Sequence, residues 1–170
     1  MGDGAACSIG MGVGVEKRKR SEYGFNPAKQ ADAGSPAGER IEAAYWHLSQ
    51  AYELLARGDP YDAAEKVWAA VKAVTEALTS ATLGAPAPPE GLGWRRFVKE
   101  AFVKAGLSGE EAEELAAYYI EVRDRLHGAC FHGLLYEEGE HKPLMERAKW
   151  YVDLARRALE RAGSSSRAIA

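Results

Sequence analysis

Two arginines and two of the four histidines of this chain fall between positions 123 and 132: Arg123, Arg125, His127 and His132, with Asp124 between the arginines. Those residue types together suit phosphate and proton chemistry. A guanidinium grips a phosphate bidentately, and histidine is the side chain whose ordinary pKa lets it exchange protons near neutrality. On a helix of ordinary pitch, residues seven apart share an edge, so Arg125 and His132 lie together beside an apolar stripe centred on Val122. Glu121 precedes Arg125 by four positions and Tyr136 follows His132 by four. Arg123 and His127, themselves four apart, sit towards the opposite edge. A helix continuous through Gly128 and Gly133 therefore predicts a polar seam of Arg125, His132 and Tyr136, lying inside a bundle or across a dimer interface. Each glycine costs a helix about 1 kcal/mol relative to alanine, so a kink or a close backbone approach is the alternative. The plain structural reading makes Arg123 and Asp124 surface ion-pair formers, His127 a hydrogen-bonded interior histidine, and Cys130 and Phe131 packing groups.

Other chemistries find no support. His127 and His132 are five apart, off the four-residue spacing that lines up metal ligands on an α-helix, and His47 and His141 stand isolated in sequence. No Ser/His/Asp nucleophile arrangement, P-loop or dinucleotide fingerprint is present. Neither a metal nor an organic cofactor is expected. Cys7 and Cys130 are the two cysteines, which excludes a disulfide framework and a cysteine zinc cluster.

The elements that must position these groups read as helices. The 170 residues carry a formal net charge of −3, with 22 Lys and Arg against 25 Asp and Glu. That balance gives no global basic field, so nucleic-acid contact needs a local patch. No apolar run approaches the roughly 20 residues that span a bilayer, and no signal-type segment opens the chain; a cytoplasmic protein without membrane contact is expected. One Asn, two Gln and an excess of Arg over Lys fit a thermophilic source.

Residues 1–36 show no periodic apolar pattern and read as a flexible tail, whose charge run at residues 17–20 is a solvated stretch or a polyanion-binding arm. Residues 37–162 hold five helical stretches, and a serine-rich tail is expected over 163–170. Ile41, Tyr45, Leu48, Tyr52 and Leu55 make one amphipathic face, stopped at Gly58. Asp59 caps a second helix with Pro60 at its first position and a stripe of Val67, Trp68, Val71, Val74 and Leu78. After the proline-rich linker come a shorter helix carrying Phe97, Val98 and Phe102 and then a fourth, with Ser108 and Glu111 at capping-box spacing. The fourth carries Leu115, Tyr118, Tyr119, Val122 and Leu126 and leads into the Arg/His cluster. A break over residues 138–142 precedes a fifth helix opened by Pro143. With no strand alternation, the fold class is all-α: an antiparallel bundle of four long helices and a shorter one. The Gly58–Lys66 junction looks like one tetratricopeptide-type turn, but no second copy follows at the expected period of about 34 residues, so a solenoid is not predicted.

From about Ile41 to Ala162 the layout resembles the HEPN (higher eukaryotes and prokaryotes nucleotide-binding) superfamily, and within it the archaeal PaREP-type proteins. The most specific stretches are Ala51 to Asp59, Ala63 to Trp68, and Leu126 to His132 ahead of a final amphipathic helix. HEPN ribonucleases place a histidine after an arginine, usually followed by a polar residue, with four to six residues in between. Arg125 and His132 match the spacing with six between them; Arg123 with Asp124 matches the start but has three residues before His127. Toxin-type relatives carry a tyrosine two after the histidine, whereas Tyr136 stands four after His132. The resemblance implies an HEPN-like bundle, commonly a homodimer, that binds RNA or a nucleotide. Two activities are compatible with it: metal-independent RNA cleavage of toxin or defence type, and a non-catalytic adaptor that docks a partner such as a nucleotidyltransferase-like subunit. In the catalytic case His132 would be the general acid or base and Arg125 would stabilise phosphate charge, with Arg123 and His127 as the alternative pair and Asp124 and Tyr136 as binding groups.

Overall fold

Each helix begins and ends where the local chemistry dictates. A computed structural model describes residues 35–167; the tail expected over residues 1–36, with its charge run and Cys7, lies almost entirely outside the described residues. Helix α1, Pro36–Ala56, starts at Ser35, whose Oγ accepts from the Gly38 N–H at 3.1 Å. Helix α2, Pro60–Leu83, starts at Asp59, whose carboxylate accepts from the Asp62 N–H, and stops at Gly84 with a φ of 76°. Helix α3, Trp94–Lys104, leads to Gly106 at a φ of 90°. Such left-handed positions favour glycine because a Cβ would crowd the following carbonyl. Helix α4, Gly109–Glu121, opens with a complete capping box between Ser108 and Glu111 and runs without a break into a π-helical segment, Val122–His132. Helices α5, Glu138–Glu146, and α6, Ala148–Arg167, complete the chain. Among the described residues all regular structure is helical, with no strand, and the fold is a helical bundle.

Helix α2 is the centre of the bundle. It packs against α1, α3, α6 and the π-helical segment, and Val67, Val71, Val74 and Leu78 are fully buried on it. The buried polar residues Thr75, Thr79 and His141 are partnered, which offsets their loss of water. The Thr75 hydroxyl donates its one proton to the Val71 carbonyl at 2.6 Å, so at 2.7 Å it accepts from the Tyr151 hydroxyl. The Tyr118 hydroxyl donates to the Leu144 carbonyl at 2.8 Å, tying α4 to α5.

Two boundaries differ from expectation. The stretch 138–142 is the first turn and more of α5, not a break, and Pro143 lies inside that helix. The cause is His141, buried at 3 % exposure, whose Nδ1 faces the Glu137 backbone, 3.1 Å from its nitrogen and 3.0 Å from its carbonyl oxygen, and so fixes a helix start five residues before the proline. At the other end α6 continues past Gly163 to Arg167, where a loose tail was expected. No helix among the described residues is long and apolar enough to cross a membrane.

The buried tyrosines set an alkaline limit. Burial, with a hydrogen bond to Asp153, pushes Tyr45 up to about 12, and burial also drives Tyr118, Tyr119 and Tyr151 well above the ordinary tyrosine value. Groups raised in the folded state contribute stability that is complete below their unfolded value of about 10 and is lost as pH rises through the folded values. The urea midpoint is therefore expected to fall from about pH 10 upward, and Tyr45→Phe should lessen the fall between about pH 10 and 12. An unchanged midpoint to pH 12 would show these hydroxyls to be wet.

Candidate functional site

The site begins with a change of winding. Along α4 the buried residues alternate in steps of three and four, but Val122, Leu126 and Cys130 follow at a constant step of four. A constant four also occurs on α2, at Ala63, Val67, Val71 and Thr75, so what marks this segment is a wider course of the backbone. The backbone takes that course: the Gly133 N–H donates to the Gly128 carbonyl at 3.0 Å, five residues back, and the Leu135 N–H reaches the Ala129 carbonyl at 3.1 Å. The end resembles a Schellman closure widened by one residue, with Leu134 in the left-handed region at a φ of 52°. Gly133 is required there, since a Cβ would come within 2.5 Å of the Ala129 carbonyl oxygen.

Widening the ladder re-sorts the side chains. With bonds from i to i+5, residues four and five apart become neighbours, so Arg123, His127 and His132 share one face and a seven-residue separation no longer does. The imidazoles of His127 and His132 meet edge to face, with ring centroids 4.5 Å apart. The expected seam of Arg125, His132 and Tyr136 does not form. Arg125 is held between Glu121, at 3.1 Å, and Glu140 of α5. Tyr136 has left the helix and packs against Tyr61 and His141. Arg123 pairs with its neighbour Asp124 at 2.8 Å in an exposed contact, which ties the guanidinium weakly.

His127 is the most firmly positioned member of the cluster. Its Nδ1 lies 2.7 Å from Glu65 Oε2 on α2. A carboxylate accepts and cannot donate, so Nδ1 carries the proton and the neutral ring keeps its lone pair on Nε2. Trp68 stacks on the imidazole with centroids 5.4 Å apart, and Phe131 lies parallel at 6.3 Å. Trp68 is itself fixed by Tyr119, 5.5 Å away, and Arg123 lies close enough to Tyr119 to act on its hydroxyl. His132 is exposed. The outcome is an oriented, half-buried imidazole beside a freely accessible one.

The sequence pattern of the archaeal PaREP1/PaREP8 family matches residues 39–163. The chain belongs to that family. No curated protein and no solved structure matches it.

Two residues of this PaREP1/PaREP8 site have no signal in local spacing. Glu65 lies 62 positions before His127, and their meeting depends on how α2 packs against the π-helical segment. His47 is not isolated: it neighbours Lys66 and Glu65, and burial, then the Lys66 charge, lowers its pKa while Glu65 opposes the shift. His141 belongs to the start of α5 and stands apart from this PaREP1/PaREP8 cluster. Among the described residues no group of three or more His, Cys, Asp and Glu is disposed to hold a metal ion.

Proposed function

We propose that the protein binds single-stranded RNA on the face formed by α1, α2 and the π-helical segment and cleaves it by proton transfer between the RNA and its two adjoining histidines. The observation that carries this reading is the contact of His127 and His132, one ring oriented by a carboxylate and the other open to solvent. Nε2 of His127 takes the proton of a ribose 2′-hydroxyl as that oxygen bonds to phosphorus. The bond to the 5′-oxygen breaks, and His132 supplies the proton that the leaving oxygen needs. Arg123 offsets charge on the phosphate, as a planar guanidinium does well. Arg125, already facing two carboxylates, contributes by fastening the segment to α5. The HEPN resemblance favours the same chemistry.

The products balance as a 2′,3′-cyclic phosphate and a 5′-hydroxyl. The test is incubation of the purified protein with a panel of single-stranded RNAs in EDTA. Fragments ending in cyclic phosphate are expected; an intact panel overturns the catalytic reading. Leu134 and Leu135, exposed directly after the π-helical segment, favour a second reading, in which a protein partner docks there. A second copy of the chain would make a homodimer with two sites near one another, and a nucleotidyltransferase-like subunit would make this an adaptor.

A further inference from the structure

Three of the four tryptophans are locked in the bundle. Trp68 lies between Tyr119 and His127, Trp94 stacks on Tyr119 at 5.5 Å, and Trp150 is sandwiched by Tyr118 and the Arg147 guanidinium. Trp46 on α1 is 56 % exposed. An indole left largely in water adds little to the core of this fold and keeps its ring available to a ligand. Its neighbours are the edge of His47, at a centroid distance of 5.0 Å, and the Lys66 ammonium, 5.9 Å from the ring centre. Lys66 forms no ion pair among the described residues.

The position of this pair is informative. Lys66, which lies over Trp46, follows Glu65 directly on α2, and Glu65 holds His127, so the Trp46 and Lys66 pair stands beside the paired histidines. An exposed aromatic plane beside an unpaired cation matches the two halves of a nucleotide, a base to stack and a phosphate to neutralise. An acidic peptide would use the cation and leave the plane idle.

Resting on the proposed function, we infer that Trp46 and Lys66 form a nucleobase-stacking subsite that holds the RNA strand beside the scissile phosphate at His127 and His132. Stacking of this kind reads no hydrogen-bond pattern, so the subsite sets affinity and register along the strand with little base preference.

The probe is a fluorescein-labelled 2′-O-methyl RNA decamer, which lacks the attacking hydroxyl and reports binding alone by anisotropy. Trp46→Ala is expected to weaken binding about tenfold or more and Trp46→Phe to retain most of it. Lys66→Gln should flatten the salt dependence by about one phosphate contact. Val103→Ser, at an exposed apolar position on α3, should bind as the wild type does. With cleavable RNA the Trp46→Ala loss falls on KM and not on kcat. If the wild type binds and Trp46→Ala binds equally well, the subsite is overturned while the proposed function stands. If the wild type binds without cleaving and Trp46→Ala loses binding, the subsite holds and the catalytic reading fails. No binding by the wild type overturns both.

Discussion

His127→Ala is expected to lower the rate of RNA cleavage by about 10²–10⁴-fold, the usual worth of a positioned proton carrier, while leaving the helical circular-dichroism signal intact. The size of the loss depends on which imidazole is oriented. Glu65 fixes the proton on Nδ1 of His127, and Trp68 and Phe131 fix the ring plane, so Nε2 points one way with its lone pair in place. His132 has the contact with His127 and Phe131 but no hydrogen-bonding partner among the described residues, and His132→Ala should cost less if water replaces it as acid. Glu65→Gln tests the orientation separately, because an amide can turn its NH₂ towards Nδ1 and favour the other tautomer. Arg123→Lys should impair the reaction more than Arg125→Lys, since a lysine keeps charge but loses the planar fork. Undiminished cleavage by His127→Ala would remove the histidine from the reaction.

Trp68→Ala is expected to be the most damaging single change to stability near the site, by about 3–5 kcal/mol, through the lost burial of an indole and the cavity left behind. Trp68 is 8 % exposed and joins Tyr119 of α4 to His127 of the π-helical segment. A loss of that size is a large share of the roughly 5–15 kcal/mol that holds a domain together. Denaturant unfolding should register it as a lower midpoint with an unchanged slope, and Trp68→Phe should recover part of it. A loss under about 1 kcal/mol would mean that the ring does not bridge the two elements.

Much of the scaffold was legible because its signals are local. Gly58, Asp59 and Ser108 with Glu111 act within one turn of where they stand, and each marks the boundary it predicted. The resemblance to the PaREP-type proteins was legible over nearly the matched range. The grouping of the site was not. A fixed pitch of 3.6 residues per turn placed Arg125 with His132, whereas the winding actually adopted joins His132 to His127. The equal steps from Val122 to Leu126 to Cys130 gave no warning, since buried positions four apart also line the ordinary α-helix α2 at Ala63, Val67, Val71 and Thr75. Pro143 misled for a related reason: a proline marks a helix start only where nothing upstream supplies one, and His141 with Glu137 does. Glu65 and the surface position of Trp46 depend on tertiary packing, which no window along the chain contains.

The winding of the π-helical segment also fixes how the gene encoding this chain can change in length. Two histidines five apart meet only while the ladder is wide; two histidines four apart would meet on an ordinary α-helix. Excision of the single codon for Ala129, between them, would let the segment relax to α-winding with the imidazoles still adjoining and with Leu126 and Cys130 three apart on the buried face. Adding a codon at the same place has no such refuge, because the ladder is already at its widest common form. Length variation in this stretch should therefore run towards loss, and chains shorter by one residue here would keep the same pair of rings.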